Sequence, residues 1–308
     1  MINQFGFQYM TIPASGFFGK GIKGILTFFI NFIRTIILFP RILYKTKSSA
    51  LIASGGFSSL VPTLWATVLN KKFFLLEQNC IPGRFTKYFS RWAREIYLGL
   101  PLLHKIRGNI IFTGNPLRKE IIKNGRRDDG KTILVLGGSQ GAKFINLNAV
   151  ELAAQMPDLH FIIQTGQRDY ENVKQLVASK NCELIDFTLQ PQELYKKATI
   201  IISRAGGMVL SEILLFGIPS IIIPFPFATD NHQAANAQFL AQNNAATIIS
   251  QACQPGYSED FVEKLKQTVK SLINNKERLN EMSKNARAIA RSNANTIIAN
   301  RVLKCLEN

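Results

Sequence analysis

Ser203-Arg-Ala-Gly-Gly-Met-Val-Leu-Ser-Glu212 is the stretch that decides the fold of this chain. It follows the apolar run 198–202 and precedes a second one, Ser220-Ile-Ile-Ile-Pro-Phe225. Buried strand, glycine turn, helix and buried strand make a βαβ unit. Glycines at the strand-to-helix corner let a ligand approach the backbone. The free N–H groups and positive end of the helix then face an anion. Glu212 falls further along the same helix, where a carboxylate can meet a ribose. A sugar nucleotide suits this pattern better than a bare phosphate.

The flanking sequence repeats the theme. Thr132-Ile-Leu-Val-Leu136 reads as a buried parallel strand. It leads into Gly137-Gly-Ser-Gln-Gly-Ala142 and a helix over 146–155. Further strands are expected at 161–164, 183–187, 199–203, 220–225 and 246–249, with helices at 169–178 and 230–242 between them. Alternating strands and helices specify an α/β doubly wound parallel sheet with right-handed crossovers. The tail 260–306 reads as helices broken near Asn274 and Ser292. Upstream, 49–53, 72–76 and 109–112 read as strands, each followed by polar turn residues. The basic stretch 119–130 is the natural linker, so the expected domains are 1–118 and 119–308, facing each other across a cleft.

A chain of 308 residues has room for two domains, and 46% hydrophobic content fills both cores. The net charge of +17 is unevenly spread. Residues 1–127 hold 19 Lys and Arg against 3 Asp and Glu, an excess of 16. A basic half of this kind faces an anionic surface. With no basic-aromatic RNA signature or basic recognition helix, a membrane headgroup layer is favoured over nucleic acid. The 4 cysteines (Cys80, Cys182, Cys253, Cys305) form no CxxC pair and read as thiols of a reducing compartment. The first residues lack a basic region followed by an apolar run, so no secretory signal is expected. The apolar segment 24–40 approaches membrane-spanning length, but Arg34 interrupts it and Pro40 is expected to break it. Lys20 and Lys23 precede it; Arg41, Lys45 and Lys47 follow. An interfacial segment that is partly core is favoured over a true span.

Three corners carry chemistry. In the glycine turn after Leu136, Ser139 can donate a hydrogen bond to an anion. The 203–212 corner adds helix N–H groups. The third corner runs Pro224-Phe-Pro-Phe-Ala-Thr-Asp-Asn-His-Gln-Ala-Ala-Asn236. There Asp230 reads as a helix N-cap, while Gln233 and Asn236 share a face suited to sugar hydroxyls.

Together with Ser54-Gly-Gly-Phe57, Glu77-Gln-Asn-Cys-Ile-Pro-Gly83, Gly114-Asn-Pro-Leu-Arg118 and Arg204-Ala-Gly-Gly207, these corners resemble the MurG family. That family comprises the undecaprenyl-pyrophosphoryl-muramoyl-pentapeptide N-acetylglucosaminyltransferases of peptidoglycan synthesis. The resemblance covers most of the chain, in order. It implies a GT-B fold of two Rossmann-like domains and an inverting transfer from UDP-N-acetylglucosamine to lipid I. It also implies a peripheral position on the cytoplasmic face of the inner membrane. Carried over by motif, Arg118 and Ser139 contact the nucleotide and its diphosphate. Thr188 packs its main chain on uracil, and Gly207, Met208, Val209, Leu210 and Ser211 supply backbone N–H groups. Glu212 binds ribose; Gln233 and Asn79 approach the N-acetylglucosamine. No Asp-x-Asp occurs, so transfer is expected to need neither metal nor cofactor.

The sequence departs from the family in two ways. The family opens with a strand and a Gly-Gly-Thr-Gly-Gly-His loop at the acceptor diphosphate, and this sequence starts downstream of both. The N-terminal domain is therefore expected to be incomplete. Leu76 also stands where the family has histidine before Glu-Gln-Asn. The catalytic base is thus unassigned, with Glu77 the nearest candidate by position or else a residue that shapes its loop. Two alternatives stay open: a degenerate, non-catalytic UDP-sugar-binding or membrane-associated assembly protein, and a related transferase with another acceptor.

Overall fold

The computed structural model describes residues 6, 9–13, 21–122, 130–137, 142–251 and 256–307. The first unit contains α1 (Gly21–Thr46), β1 (Ala50–Ala53), α2 (Phe57–Val68), β2 (Lys72–Glu77), α3 (Arg84–Phe89), β3 (Glu95–Leu98) and β4 (Ile110–Phe112). Its four strands are all parallel and lie in chain order. Consecutive Gly55 and Gly56, at φ 86° and 78°, turn the chain from β1 into α2. Residues with a Cβ are strained in that conformation.

The second unit contains α4 (Lys119–Ile122), β5 (Thr132–Leu136), α5 (Lys143–Ala154), β6 (His160–Gln164), α6 (Tyr170–Lys174), β7 (Cys182–Ile185) and α7 (Pro191–Lys197). It continues through β8 (Ile200–Ser203), α8 (Gly207–Phe216), β9 (Ser220–Ile222), α9 (His232–Gln242) and β10 (Ala246–Ile248). Its sheet order is β10-β9-β8-β5-β6-β7, parallel throughout. Strand order reverses between β5 and β8, so the crevice beyond their C-terminal ends is the natural ligand site. The 203–212 corner lies there; residues 138–141 of the other glycine corner fall outside the described set.

The strands read as unbroken apolar runs because both faces of this sheet are buried. Ile133, Val135, Ile163 and Ile202 pack with α5 and α10 (Glu259–Ile273) on one side. Leu134, Ile162, Ile201 and Ile222 pack with α8 and α9 on the other. α11 (Lys276–Ile289) and α12 (Ala294–Glu307) complete the chain. Ser258 caps α10 by accepting from the Phe261 amide, and Asn275 caps α11 by accepting from the Arg278 amide. These caps explain why the sequence break at Asn274 is legible.

Three elements differ from the sequence expectation. β3 is an extra strand. Its four residues are all buried, including Glu95 at its head, so it has neither the alternation nor the apolar run that marks a strand. α1 does not stop at Pro40 but continues to Thr46. Proline at that position removes the donor to the Ile36 carbonyl one turn earlier. The Trp65 indole of α2 donates to that carbonyl instead, at 3.1 Å, which satisfies the freed acceptor. α12, grouped by sequence with the second domain, packs on the first sheet. Ala294, Ile298 and Val302 meet Phe74 and Tyr97 there. The apolar stripe of α12 finds its partner face across the molecule.

Candidate functional site

Gly206 is the N-cap of α8 and provides no side-chain cap. The amides of its first turn are open to an acceptor from outside the helix. Behind this corner lies Arg204. Its guanidinium donates to the carbonyls of Ile223 and Pro224 and to Gln251 Oε1. It also stacks over Phe225, 5.4 Å from the ring centroid. Burial lowers the Arg204 pKa to about 10, so it stays a cation at neutral pH. The corner therefore combines helix N–H groups with a fixed positive charge.

Glu212 lies beyond the first turn of α8, half-buried. Burial raises its pKa above the usual carboxylate value, opposed by a hydrogen bond from Tyr195 and the charge of Arg118. The Tyr195 hydroxyl donates to Glu212 Oε2 at 2.6 Å. Arg118 donates to the Leu189 carbonyl at 2.9 Å. Thr188 next to it accepts from the Gln190 amide. Arg118, Thr188 and Glu212, far apart in sequence, thus converge on one side of the α8 corner. Ser139 lies outside the described residues.

Gln233 has a defined orientation. Its Oε1 accepts from the amides of Ala205 and Phe225. Both partners are donors, so the amide nitrogen must be the end left to bond a ligand hydroxyl. Met208 and Val209 pack partly into the core, and Leu210 is fully buried. Contrary to the sequence expectation, Leu210 offers a ligand nothing, because its amide donates to the Gly206 carbonyl at 3.0 Å. The open amides are those at the start of the turn, at Gly207, Met208 and Val209.

The two units meet at this corner through asparagines. Asn236 is fully buried, so it is not an open sugar ligand. Its Oδ1 accepts from the Cys80 amide at 2.8 Å. Its Nδ2 donates to Asn79 Oδ1 and to the Ala205 carbonyl, both at 2.9 Å. Asn115 donates to the carbonyls of Gln78 and Gly207 and to Ser211 Oγ. A Cβ on Gly207 would lie 2.3 Å from the Gln78 carbonyl oxygen, so the backbones pack directly here. Asp230 is not the N-cap of α9. Asn231 holds that position, and Asp230 reaches Arg84 across the cleft at 3.7 Å.

Glu77 is turned into its own loop. Its carboxylate accepts from the Asn79 amide, Asn79 Nδ2, the Gly83 amide and Thr86 Oγ1. Asn79 comes to the cleft, but both ends of its amide group are engaged by protein.

Residues 132–300 match the glycosyltransferase family 28 C-terminal domain, and residues 1–98 match the family 28 N-terminal domain. A Myxococcus xanthus relative named UDP-N-acetylglucosamine--N-acetylmuramyl-(pentapeptide) pyrophosphoryl-undecaprenol N-acetylglucosamine transferase is 31% identical over 301 residues. The alignment covers 94% of this chain and 77% of that protein. The chain belongs to the MurG family. A Methylococcus capsulatus protein of the same name is 34% identical over 87% of this chain and 75% of its own length. The crystal structure of Acinetobacter baumannii MurG superposes with a TM-score of 0.72 at 25% identity, covering 98% of this chain and 87% of that one. The two parallel-sheet units are thus the halves of a GT-B glycosyltransferase, as the MurG resemblance implied.

Within this MurG-family fold, the sequence missed Tyr195, and it missed the joining role of Asn115 and Asn236. Asn115 and Asn236 stand inside the motifs, but nothing in a motif says which way an amide turns. Tyr195 has no sequence signal at all, because its role arises only where α7 packs beside α8.

Proposed function

We propose that this chain transfers N-acetylglucosamine from UDP-N-acetylglucosamine to the undecaprenyl-pyrophosphoryl-N-acetylmuramoyl-pentapeptide acceptor, converting lipid I to lipid II for the cell wall. The carrying observation is the half-buried Glu212 carboxylate beyond the uncapped first turn of α8, with Arg118 beside it and Gln233 held at the start of the corner by the Ala205 amide. In this reading Glu212 accepts from ribose hydroxyls, and the first-turn amides of α8 face the diphosphate, with the Arg204 charge behind them. Thr188 lies beside the uracil, and the Gln233 nitrogen donates to a sugar hydroxyl. The acceptor hydroxyl, giving up its proton to a base that neither Glu77 nor any other assigned residue supplies, attacks the anomeric carbon from the face opposite UDP. The anomeric C–O bond breaks and its electron pair leaves on the diphosphate, where the first-turn amides of α8 are already aimed. Glu77, with four hydrogen bonds from its own loop, holds Asn79 and the acceptor-side loop in shape rather than serving as base. Residues 1–118 supply the acceptor side and residues 119–308 the donor side, with α12 returning to brace the former.

The test is transfer of labelled N-acetylglucosamine to a lipid I analogue, with UDP binding recorded on the same sample. Transfer that Glu212→Ala lowers by about 100-fold in kcat/KM supports the reading, since a charged hydrogen bond to ligand carries most of that. UDP binding with no transfer would instead favour a non-catalytic sugar-nucleotide binder, the reading that Leu76 in place of the family histidine supports.

The same reading puts the first unit on an anionic membrane at the cytoplasmic face. α1 is long and apolar enough to cross a membrane, yet only 11% of its most apolar window is buried. Leu26, Phe29, Ile30, Ile33 and Ile37 are exposed, and so are Lys23, Arg34, Arg41 and Lys45. An apolar face rimmed by cations suits a helix lying in the headgroup layer. Phe29→Glu with Ile33→Glu is expected to weaken flotation with anionic vesicles by at least about 30-fold. Wild-type binding should also fall as salt rises. Vesicle binding unchanged by both substitutions would move the membrane face elsewhere.

A further inference from the structure

We propose that Tyr195 is the positioning residue that fixes the Glu212 carboxylate for a ribose diol and so makes donor recognition selective for ribonucleotides over 2′-deoxyribonucleotides. This rests on the donor-nucleotide reading above. Tyr195 is 2% exposed, so it touches no ligand itself and acts through Glu212. Its ring packs on Phe216, with centroids 5.2 Å apart. Phe216 lies four residues after Glu212, one turn on along the same face of α8. One tyrosine thus spans both positions, its ring held by the second and its hydroxyl spent on the first.

The geometry of the carboxylate follows. A glutamate side chain at a helix surface samples several rotamers, and holding it in one costs entropy at the moment of binding. The 2.6 Å hydrogen bond to Oε2 removes that freedom in advance. Among the described residues, no hydrogen bond is made to Oε1. The free oxygen, with the spare lone pair of Oε2, is a fixed double acceptor of the kind that two adjacent hydroxyls satisfy together. A sugar lacking one hydroxyl would leave part of a half-buried carboxylate unpaired, and such sites reject the missing-hydroxyl analogue strongly. Tyrosine is suited to the task because it orients without neutralising. Burial and the neighbouring Glu212 push its pKa well up, so the hydroxyl stays a donor. Arg118, the other group facing Glu212, is committed to the Leu189 carbonyl and supplies charge from a distance.

The experiment compares UDP-N-acetylglucosamine with its 2′-deoxyuridine analogue in the full chain. Steady-state transfer and calorimetric binding are measured for wild type, Tyr195→Phe, Glu212→Ala and Phe216→Leu. The expected result has three parts. Wild type prefers the ribo donor, and Glu212→Ala abolishes the preference. Tyr195→Phe raises KM for the ribo donor about tenfold with kcat nearly kept, and loses most of the preference. Phe216→Leu disturbs the ring packing but leaves the hydroxyl, and it retains the preference. If Glu212→Ala abolishes the preference while Tyr195→Phe keeps it, the positioning role is overturned and the ribose reading stands. If Glu212→Ala keeps the preference, the ribose reading itself fails and takes this role with it. If Phe216→Leu loses as much preference as Tyr195→Phe, packing rather than the hydroxyl is responsible, and the role is likewise overturned.

Discussion

Asn236→Ala is expected to lower kcat about 100-fold while leaving UDP affinity nearly intact. The substitution removes three bonds, two across the contact between the units (one accepted from the Cys80 amide, one donated to Asn79) and one donated to Ala205 within the second unit. Left buried, each orphaned group would cost about 1–3 kcal/mol. The units can avoid that cost by parting and admitting water. The loss therefore falls on closure of the cleft more than on the melting temperature. Glu212, Thr188 and the α8 amides belong to the second unit and stay in place, so the donor still binds. The acceptor-side loop 77–83 moves away from the reacting carbon, and a misplacement near 1 Å suffices for about 100-fold in rate. Asn236→Asp, which keeps the acceptor and loses the two donors, should fall nearly as far. Should kcat for Asn236→Ala stay within about threefold of wild type, then Asn115, the Gly207 contact and the packing of α12 hold the units in register without it.

Arg301→Ala is expected to destabilise the fold by about 2 kcal/mol, a fall in melting temperature of about 4 °C. Arg301 on α12 forms a two-pronged contact with Glu95 of β3, Nε to Oε2 at 2.9 Å and Nη2 to Oε1 at 2.7 Å. Glu95 is 6% exposed while Arg301 is 43% exposed. Removing the arginine therefore leaves a buried carboxylate relying on Tyr97 and a long bond from Asn109, while the arginine's own exposure moderates the cost. The pH dependence is a second reading of the same bond. The Arg301 hydrogen bonds hold the Glu95 pKa below its ordinary value of 4.5, against the opposing effect of burial. A carboxylate with a lowered folded-state pKa adds stability that is complete above the unfolded value and disappears as pH falls through the folded one. Wild type should thus lose stability more steeply than Arg301→Ala as pH drops below about 4.5. Parallel pH curves for the two proteins in denaturant melts would mean that the pair is not coupled to folding.

These two contacts mark the boundary of what the sequence reveals. The second sheet was legible almost strand by strand, because burial on both faces leaves unbroken runs such as Thr132–Leu136 and Ile200–Ser203. The helix breaks near 274 and 292 were legible from polar residues that stop or cap helices. β3 was not, because its glutamate is stabilised by an arginine some two hundred residues away. Pro40 misled for a similar reason: the carbonyl it frees is satisfied by Trp65, which the local sequence of α1 does not contain.

The candidate site divides in the same way. Motif order alone brought Glu212, Gln233, Arg118 and the 207–211 backbone to one corner, because βα corners at a switch point are set by short-range glycine and helix chemistry. Tertiary structure alone decided what those side chains can do. It turned the Gln233 oxygen inward, wrapped Glu77 in its own loop, closed Asn236 between the two units and set Tyr195 against Glu212. The physical reason is range. Backbone conformation and burial pattern are fixed by neighbours within a few residues and survive as periodicity in the sequence. A hydrogen bond has a direction and needs a partner, and here the partners come from other elements of the fold.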